Sequence, residues 1–126
     1  MIPGAAWLFC PADRPDRFAK AAAAADVVIL DLEDAVAPTA RVRAREALAE
    51  TRLDPARTVV RINPVGTAEH ELDLAALAEL PYEHVMLAKA ESVTGLDALA
   101  RYRVVALCET PLGVIRASEI AGSPHV

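Results

Sequence analysis

The sequence predicts an α/β fold on a parallel sheet, and within that class a (β/α)8 TIM barrel of which these 126 residues supply about the first five βα units. Three observations carry that expectation. Short apolar runs alternate with helix-forming stretches five times without a linker, and such alternation implies parallel strands joined by helical crossovers. Strand after strand closes on a polar residue: Glu33, Arg61, Lys89 and Glu109. Parallel α/β enzymes gather their chemistry at the C-terminal strand ends, and barrel strands turn one parity of side chains inward. Strict alternation puts Ile29, Val59, Val85 and Val105 in the inner layer beneath those four ends. Finally, residues 27–34 begin as Val-Val-Ile-Leu and end with three acids in four residues, Asp31, Glu33 and Asp34. Alternation places Val28, Leu30 and Leu32 on one face and Ile29, Asp31 and Glu33 on the other. A full barrel takes ~250 residues. Residues 1–126 are therefore expected to be the N-terminal part of a single barrel domain. A complete five-stranded flavodoxin-like sheet is the rival.

Residues 7–10 read as the first strand. Asp13 is a candidate N-cap in the following loop, and Pro15 suits a first helical turn. Residues 16–25, with five consecutive alanines, form a helix that Asp26 ends before the acidic strand. After the turn at Pro38, residues 41–50 make a charged helix with Val42, Ala44, Ala47 and Leu48 as its apolar side. Residues 58–63 are the third strand. Thr67 caps a helix over 68–80 that carries Leu72, Ala75, Ala76 and Glu79 at helical spacing, and Pro81 stops it. Residues 84–89 are the fourth strand, and Ser92 opens a short helix to Ala100. Residues 103–109 are the fifth strand, followed by a last helix over roughly 114–120.

Composition narrows the function. Net charge is -5 without a basic block, which argues against nucleic acid, since phosphate binding needs clustered Lys and Arg. The first residues lack the basic and apolar regions of a signal peptide, and no apolar run approaches the ~20 residues that span a bilayer. A cytoplasmic protein with no membrane partner is expected. Cys10 and Cys108 lie far apart within apolar runs, as buried reduced thiols do.

Five segments, residues 8–21, 28–36, 60–63, 86–92 and 107–110, resemble in order the citrate lyase β-subunit-like (CitE-like) branch of the HpcH/HpaI aldolase superfamily. Together they are spread along the chain from residue 8 to residue 110. The resemblance implies a modified TIM barrel, a homotrimer, and a Mg2+-dependent carbon–carbon lyase. Its substrate would be a hydroxy-dicarboxylic coenzyme A thioester of the citryl-, malyl- or citramalyl-CoA type, giving an acyl-CoA and an oxo acid. Some members hydrolyse the thioester instead. Carried over by position, Glu109 matches the first metal carboxylate, and Arg61 matches the arginine that binds the oxo acid or its enolate. Phe9, Arg14 and Lys20 match coenzyme A contacts, and Glu33 and Asp34 match acids beside the metal. The family's second metal ligand, an aspartate, and a later acid often supplied by a neighbouring subunit fall past Val126. Ala88 stands where many relatives have proline.

The residue types suit that chemistry. Splitting a β-hydroxy thioester leaves an enolate on one fragment and a carbonyl on the other. A hard cation held by carboxylates stabilises the developing negative charge. Arginine presents a planar fork that matches a carboxylate bidentately. The turn at Thr110 opens a helix whose free N–H groups suit an anion. Each residue also has a simpler reading. Asp31, Glu33 and Asp34 serve equally as helix-capping or loop acids, and Asp31 as the partner of a barrel cation. Arg61 serves as a buried ion pair, and Arg14 and Lys20 as surface charges. Lys89 reads as electrostatic, Trp7 and Phe18 as packing, and the three histidines lack metal-ligand spacing. Two other functions stay open: a pyruvate-class aldolase without coenzyme A, and an inactive half-barrel with a binding or assembly role.

Overall fold

Five parallel strands pair in the order in which the chain makes them. The computed structural model describes residues 4–126. The strands are β1 (Trp7–Pro11), β2 (Val27–Asp31), β3 (Thr58–Ile62), β4 (His84–Leu87) and β5 (Arg103–Ala106). The helices are α1 (Phe18–Ala24), α2 (Arg41–Glu50), α3 (Ala68–Ala78), α4 (Pro111–Ile115) and α5 (Ala117–Ala121). A doubly wound sheet reverses its strand order at a switch point. The sequential order here has no reversal, so the fold is of the (β/α)8 barrel type and the flavodoxin-like rival is excluded.

The sheet has two unlike faces. Val28, Leu30, Leu32, Val60, Ile62, Val85, Leu87 and Val104 pack outward with Phe18, Ala44, Leu48 and Leu77 of the helices. The inner face is a smaller cluster of Val27, Ile29, Val59 and Met86, flanked by Val105 and Leu107. β2 and β3 are buried along their whole length, whereas Trp7, Leu8 and Phe9 of the edge strand β1 are exposed. At the opposite edge the Val104 N–H donates to the His125 carbonyl at 3.0 Å, so the C-terminal residues run beside β5. Burial raises the thiol pKa of Cys10, and both cysteines are free. Among the described residues, no helix is long and apolar enough to cross a membrane.

Five expectations need correction. Val85 faces the helices, and Met86, registered against Arg61, faces inward. Lys89 reaches the strand tips because β4 ends at Leu87 and the chain then turns through a left-handed conformation, φ 50°, at Lys89. On α3 the buried residues are His70, Asp73 and Leu77, while Leu72 is half exposed. A polar group can be buried when it is hydrogen-bonded, and apolar counting overlooks that stripe. Ser92 does not cap a helix: its hydroxyl accepts from Thr94 N, and the one helical turn that follows, Leu96–Leu99, is entered through Gly95 at φ 85°. The last helix starts earlier than expected because Thr110 caps it on Gly113 N with Pro111 in the first turn, and it breaks at Arg116. Likewise Asp13 caps nothing, and the residue before the first helical turn, Arg14, has no side-chain cap bond. Thr67 does cap α3, accepting from His70 N at 3.1 Å.

Candidate active site at the strand tips

The site grows from Asp31, the last residue of β2, which is fully buried. Its carboxylate accepts four hydrogen bonds. Glu33 N donates to Oδ1 at 2.9 Å and Ala35 N to Oδ2 at 2.8 Å, which fold the chain back on itself beyond the strand. Arg61, registered opposite it on β3, donates Nε to Oδ1 at 2.7 Å and Nη2 to Oδ2 at 2.6 Å. The hydrogen bonds to Asp31 hold the Arg61 pKa above its ordinary value. Phe9 of β1 covers the guanidinium, with its ring centroid 4.8 Å from Cζ. One edge of the Arg61 fork is thus committed inside the protein, and Nη1 is left facing Glu33 Oε2 at 3.5 Å.

Glu33 is buried and bridges two cations, Arg61 and Lys89. The Lys89 ammonium also sits 3.3 Å from Asp34, whose side chain is 66% exposed. The contact with Glu33, ahead of all other influences, raises the Lys89 pKa, so the amine stays charged. The Lys89 backbone N–H donates to Glu109 Oε1 at 3.0 Å. Glu109 itself is exposed just past β5. Behind it, the Thr110 hydroxyl donates to Glu91 at 2.8 Å and accepts from Gly113 N. Gly113 packs so closely that a Cβ there would lie 2.4 Å from the Ala90 carbonyl oxygen.

The structure therefore brings Glu33, Asp34, Arg61, Lys89 and Glu109 into one chain of contacts, with Phe9 over it. Lys20 lines a separate groove of about 390 Å³ between β1 and α1, together with Phe9, Arg17 and Ala21. Arg14 is not brought there: its Nε and Nη2 are both spent on Asp16, and the pair is exposed.

A polar cluster behind the tip of β3 escaped the sequence reading. Asp73 of α3, fully buried, accepts from Asn63 N at 2.9 Å, from Asn63 Nδ2 at 2.8 Å and from Arg45 Nε at 2.8 Å. Asn63 Nδ2 also donates to the Leu32 carbonyl at 3.1 Å, and its own carbonyl meets His70 Nδ1 at 2.8 Å. The cluster ties the ends of β2 and β3 to α2 and α3. Its signal in the sequence was His70 and Asp73 at the helical spacing of Leu77.

Among the described residues, no three His, Cys, Asp or Glu side chains form a closed metal site. The oxygen donors at the strand tips nevertheless fit a hard divalent cation such as Mg2+, which retains several waters and takes few protein carboxylates. Glu109 fits that role best: one oxygen is oriented by Lys89 N, and Oε2 has no hydrogen-bond partner among the described residues.

A family model for HpcH/HpaI aldolase/citrate lyase matches residues 5–126. The chain belongs to this family. It is 61% identical over 120 residues to the citrate lyase subunit beta-like protein of Mycobacterium tuberculosis, covering 95% of this chain and 44% of that protein. It is 34% identical over 128 residues to the (3S)-malyl-CoA thioesterase of Cereibacter sphaeroides, covering 94% of this chain and 45% of the relative. The crystal structure of CitE from Mycobacterium tuberculosis in complex with magnesium, acetoacetate and coenzyme A superposes with a TM-score of 0.96 at 57% identity. That match covers 99% of this chain and 47% of the other. The chain thus spans about half the length of these family members.

Proposed function

We propose that residues 1–126 are the N-terminal part of one barrel domain in a Mg2+-dependent carbon–carbon lyase. The enzyme would split a hydroxy-dicarboxylic acyl-CoA thioester, of the citryl-, malyl- or citramalyl-CoA type, into an acyl-CoA and an oxo acid. One observation carries the reading: Glu109, Lys89, Glu33, Asp34 and Arg61 form a continuous charged path across the tips of neighbouring strands. The magnesium and coenzyme A of the related CitE complex support it.

Bound Mg2+ would act as a Lewis acid on the thioester and oxo-acid oxygens. Glu109 would hold it. The substrate hydroxyl gives its proton to a carboxylate, for which Asp34 is the exposed candidate in this chain. The electrons of the breaking carbon–carbon bond move onto the thioester as an enolate, whose carbon then takes up the proton held by that carboxylate. Arg61, fixed by Asp31 and screened by Phe9, keeps Nη1 for a substrate oxygen. Lys89 and Arg61 together offset the charge of Glu33. Phe9 and Lys20 offer an apolar wall and a cation to the coenzyme A. We extend the proposal to a cytoplasmic homotrimer, as the resemblance implies.

The full-length protein is incubated with each thioester and Mg2+, and the released oxo acid is measured. Glu109→Gln and Arg61→Ala are expected to lower kcat/KM by about 100-fold or more, the usual loss on removing a charge-stabilising group. Wild-type rates in both would remove the site assignment. Release of free coenzyme A without oxo acid would instead mark a thioesterase, the activity named for one relative. A pyruvate-class aldolase without coenzyme A is the second reading. It predicts that neutralising Arg14 and Lys20 together leaves KM unchanged.

A further inference from the structure

Lys89 is the one non-glycine residue with positive φ among the described residues, at 50°. Lysine has no local side-chain bond to favour that region, and such outliers persist only where their surroundings hold them. The surroundings are visible. Ala88 N donates to the Ile62 carbonyl on the β3 side, whereas Ala90 N donates to the Leu107 carbonyl on the β5 side. The chain changes hydrogen-bonding partner across a single residue. The N–H in between is released from both neighbours, and it is this N–H that meets Glu109 Oε1 at 3.0 Å. The side chain of the same residue leaves in the opposite sense, onto Glu33 and Asp34.

We infer that Lys89 is a positioning residue that aims the Glu109 carboxylate through its own backbone N–H, with its left-handed conformation as the device and its ammonium on Glu33 as the pin. The inference rests on the proposed reading of Glu109 as a metal ligand. Removing the ammonium alone would not test it, because an ammonium among the acids also repels a divalent cation. Comparing variants that all lack the ammonium cancels that repulsion and isolates the backbone. Glycine adopts the left-handed region freely, asparagine tolerates it, and methionine resists it.

The test uses full-length Lys89→Gly, Lys89→Asn and Lys89→Met, with Mn2+ alone titrated in the absence of substrate and binding read by electron paramagnetic resonance. Circular dichroism and thermal unfolding establish that each variant is folded, and Lys89→Gln replaces the methionine variant if that one is not. Affinity is expected to follow left-handed propensity, with glycine tightest, asparagine next and methionine weakest. The extremes should differ by about fivefold or more, as the strain of such a conformation allows. Equal affinities in folded glycine and methionine variants would overturn the inference. Glu109→Gln is titrated beside them. If it binds Mn2+ as wild type does, the metal assignment itself fails and the inference falls with it. If it binds weakly while the three Lys89 variants bind alike, only the role given to Lys89 fails.

Discussion

Replacing Asp31 by alanine removes one carboxylate and strands four donors. Two are the Nε and Nη2 of Arg61, a side chain only 11% exposed and covered by Phe9. Removing one partner of a buried ion pair costs about 3–5 kcal/mol, because the other charge stays desolvated without compensation. The other two donors are the amides of Glu33 and Ala35. Ala35 is exposed and recovers a water, whereas a buried amide such as that of Glu33 loses about 1–3 kcal/mol without an acceptor. The losses overlap, since relaxation of the turn serves both, and about 4 kcal/mol in total is expected. With a urea slope of about 2 kcal/mol per molar, the unfolding midpoint should fall by about 2 M. Urea titration followed by circular dichroism measures it. A second variant isolates the pair: Asp31→Ala combined with Arg61→Met leaves no unpaired charge. The double substitution should therefore recover about 2–3 kcal/mol relative to the sum of the singles, within the range of contacting residues. A cost below about 1 kcal/mol for Asp31→Ala, or strict additivity in the double variant, would show that Asp31 does not hold Arg61.

Two other perturbations follow from the geometry. Asp26 accepts hydrogen bonds from Ala6 N and Ala5 N, each at 2.9 Å, and these hold its pKa below the usual carboxylate value. A depressed folded-state pKa contributes stability above the unfolded value near ~4 and loses it as pH falls through the folded one. The stability advantage of wild type over Asp26→Asn, measured by thermal unfolding, should be constant at neutral pH and shrink on acidification below about pH 4. An advantage that does not change with pH would rule out the carboxylate as its source. Gly113→Ala places a Cβ 2.4 Å from the Ala90 carbonyl oxygen, a backbone atom that cannot swing aside. A loss of about 1–3 kcal/mol is expected from such overpacking, and a calorimetric Tm equal to wild type would refute the close approach.

The fold was legible because hydrophobic periodicity reports element type, and five repeats of one unit leave few topologies. The acidic end of β2 and the charges at 61, 89 and 109 were visible as polar residues where apolar runs stop. Less legible was anything set by a single backbone angle. Alternation counted from Val85 fails at Lys89, since a left-handed residue breaks the two-residue period on which counting depends. The sequence left Arg61 two roles, a fork for a substrate carboxylate and a buried ion pair with an acid such as Asp31, and the structure shows the pair, made through Nε and Nη2. The Asn63–His70–Asp73 cluster was overlooked because a helix face was judged by apolar residues alone, although Asp73 is as buried as Leu77. Arg14 and Lys20 were grouped by position in the chain; Lys20 lines the groove beside β1, and Arg14 pairs with Asp16 at the surface.

Pairing strands in the order of their synthesis has a consequence for how the charged tips mature. A nascent chain emerging from the ribosome can add each new strand to the one just completed, and short sequence separations favour rapid docking. Asp31 finds Arg61 as soon as β3 arrives, 30 residues later. Glu33 must wait for Lys89, 56 residues downstream, and only then does the ammonium settle between the acids of the second turn. Folding in that order would leave Glu33 with Arg61 as its partner cation until Lys89 docks, so the charges at the rim would come into balance only with the fourth strand.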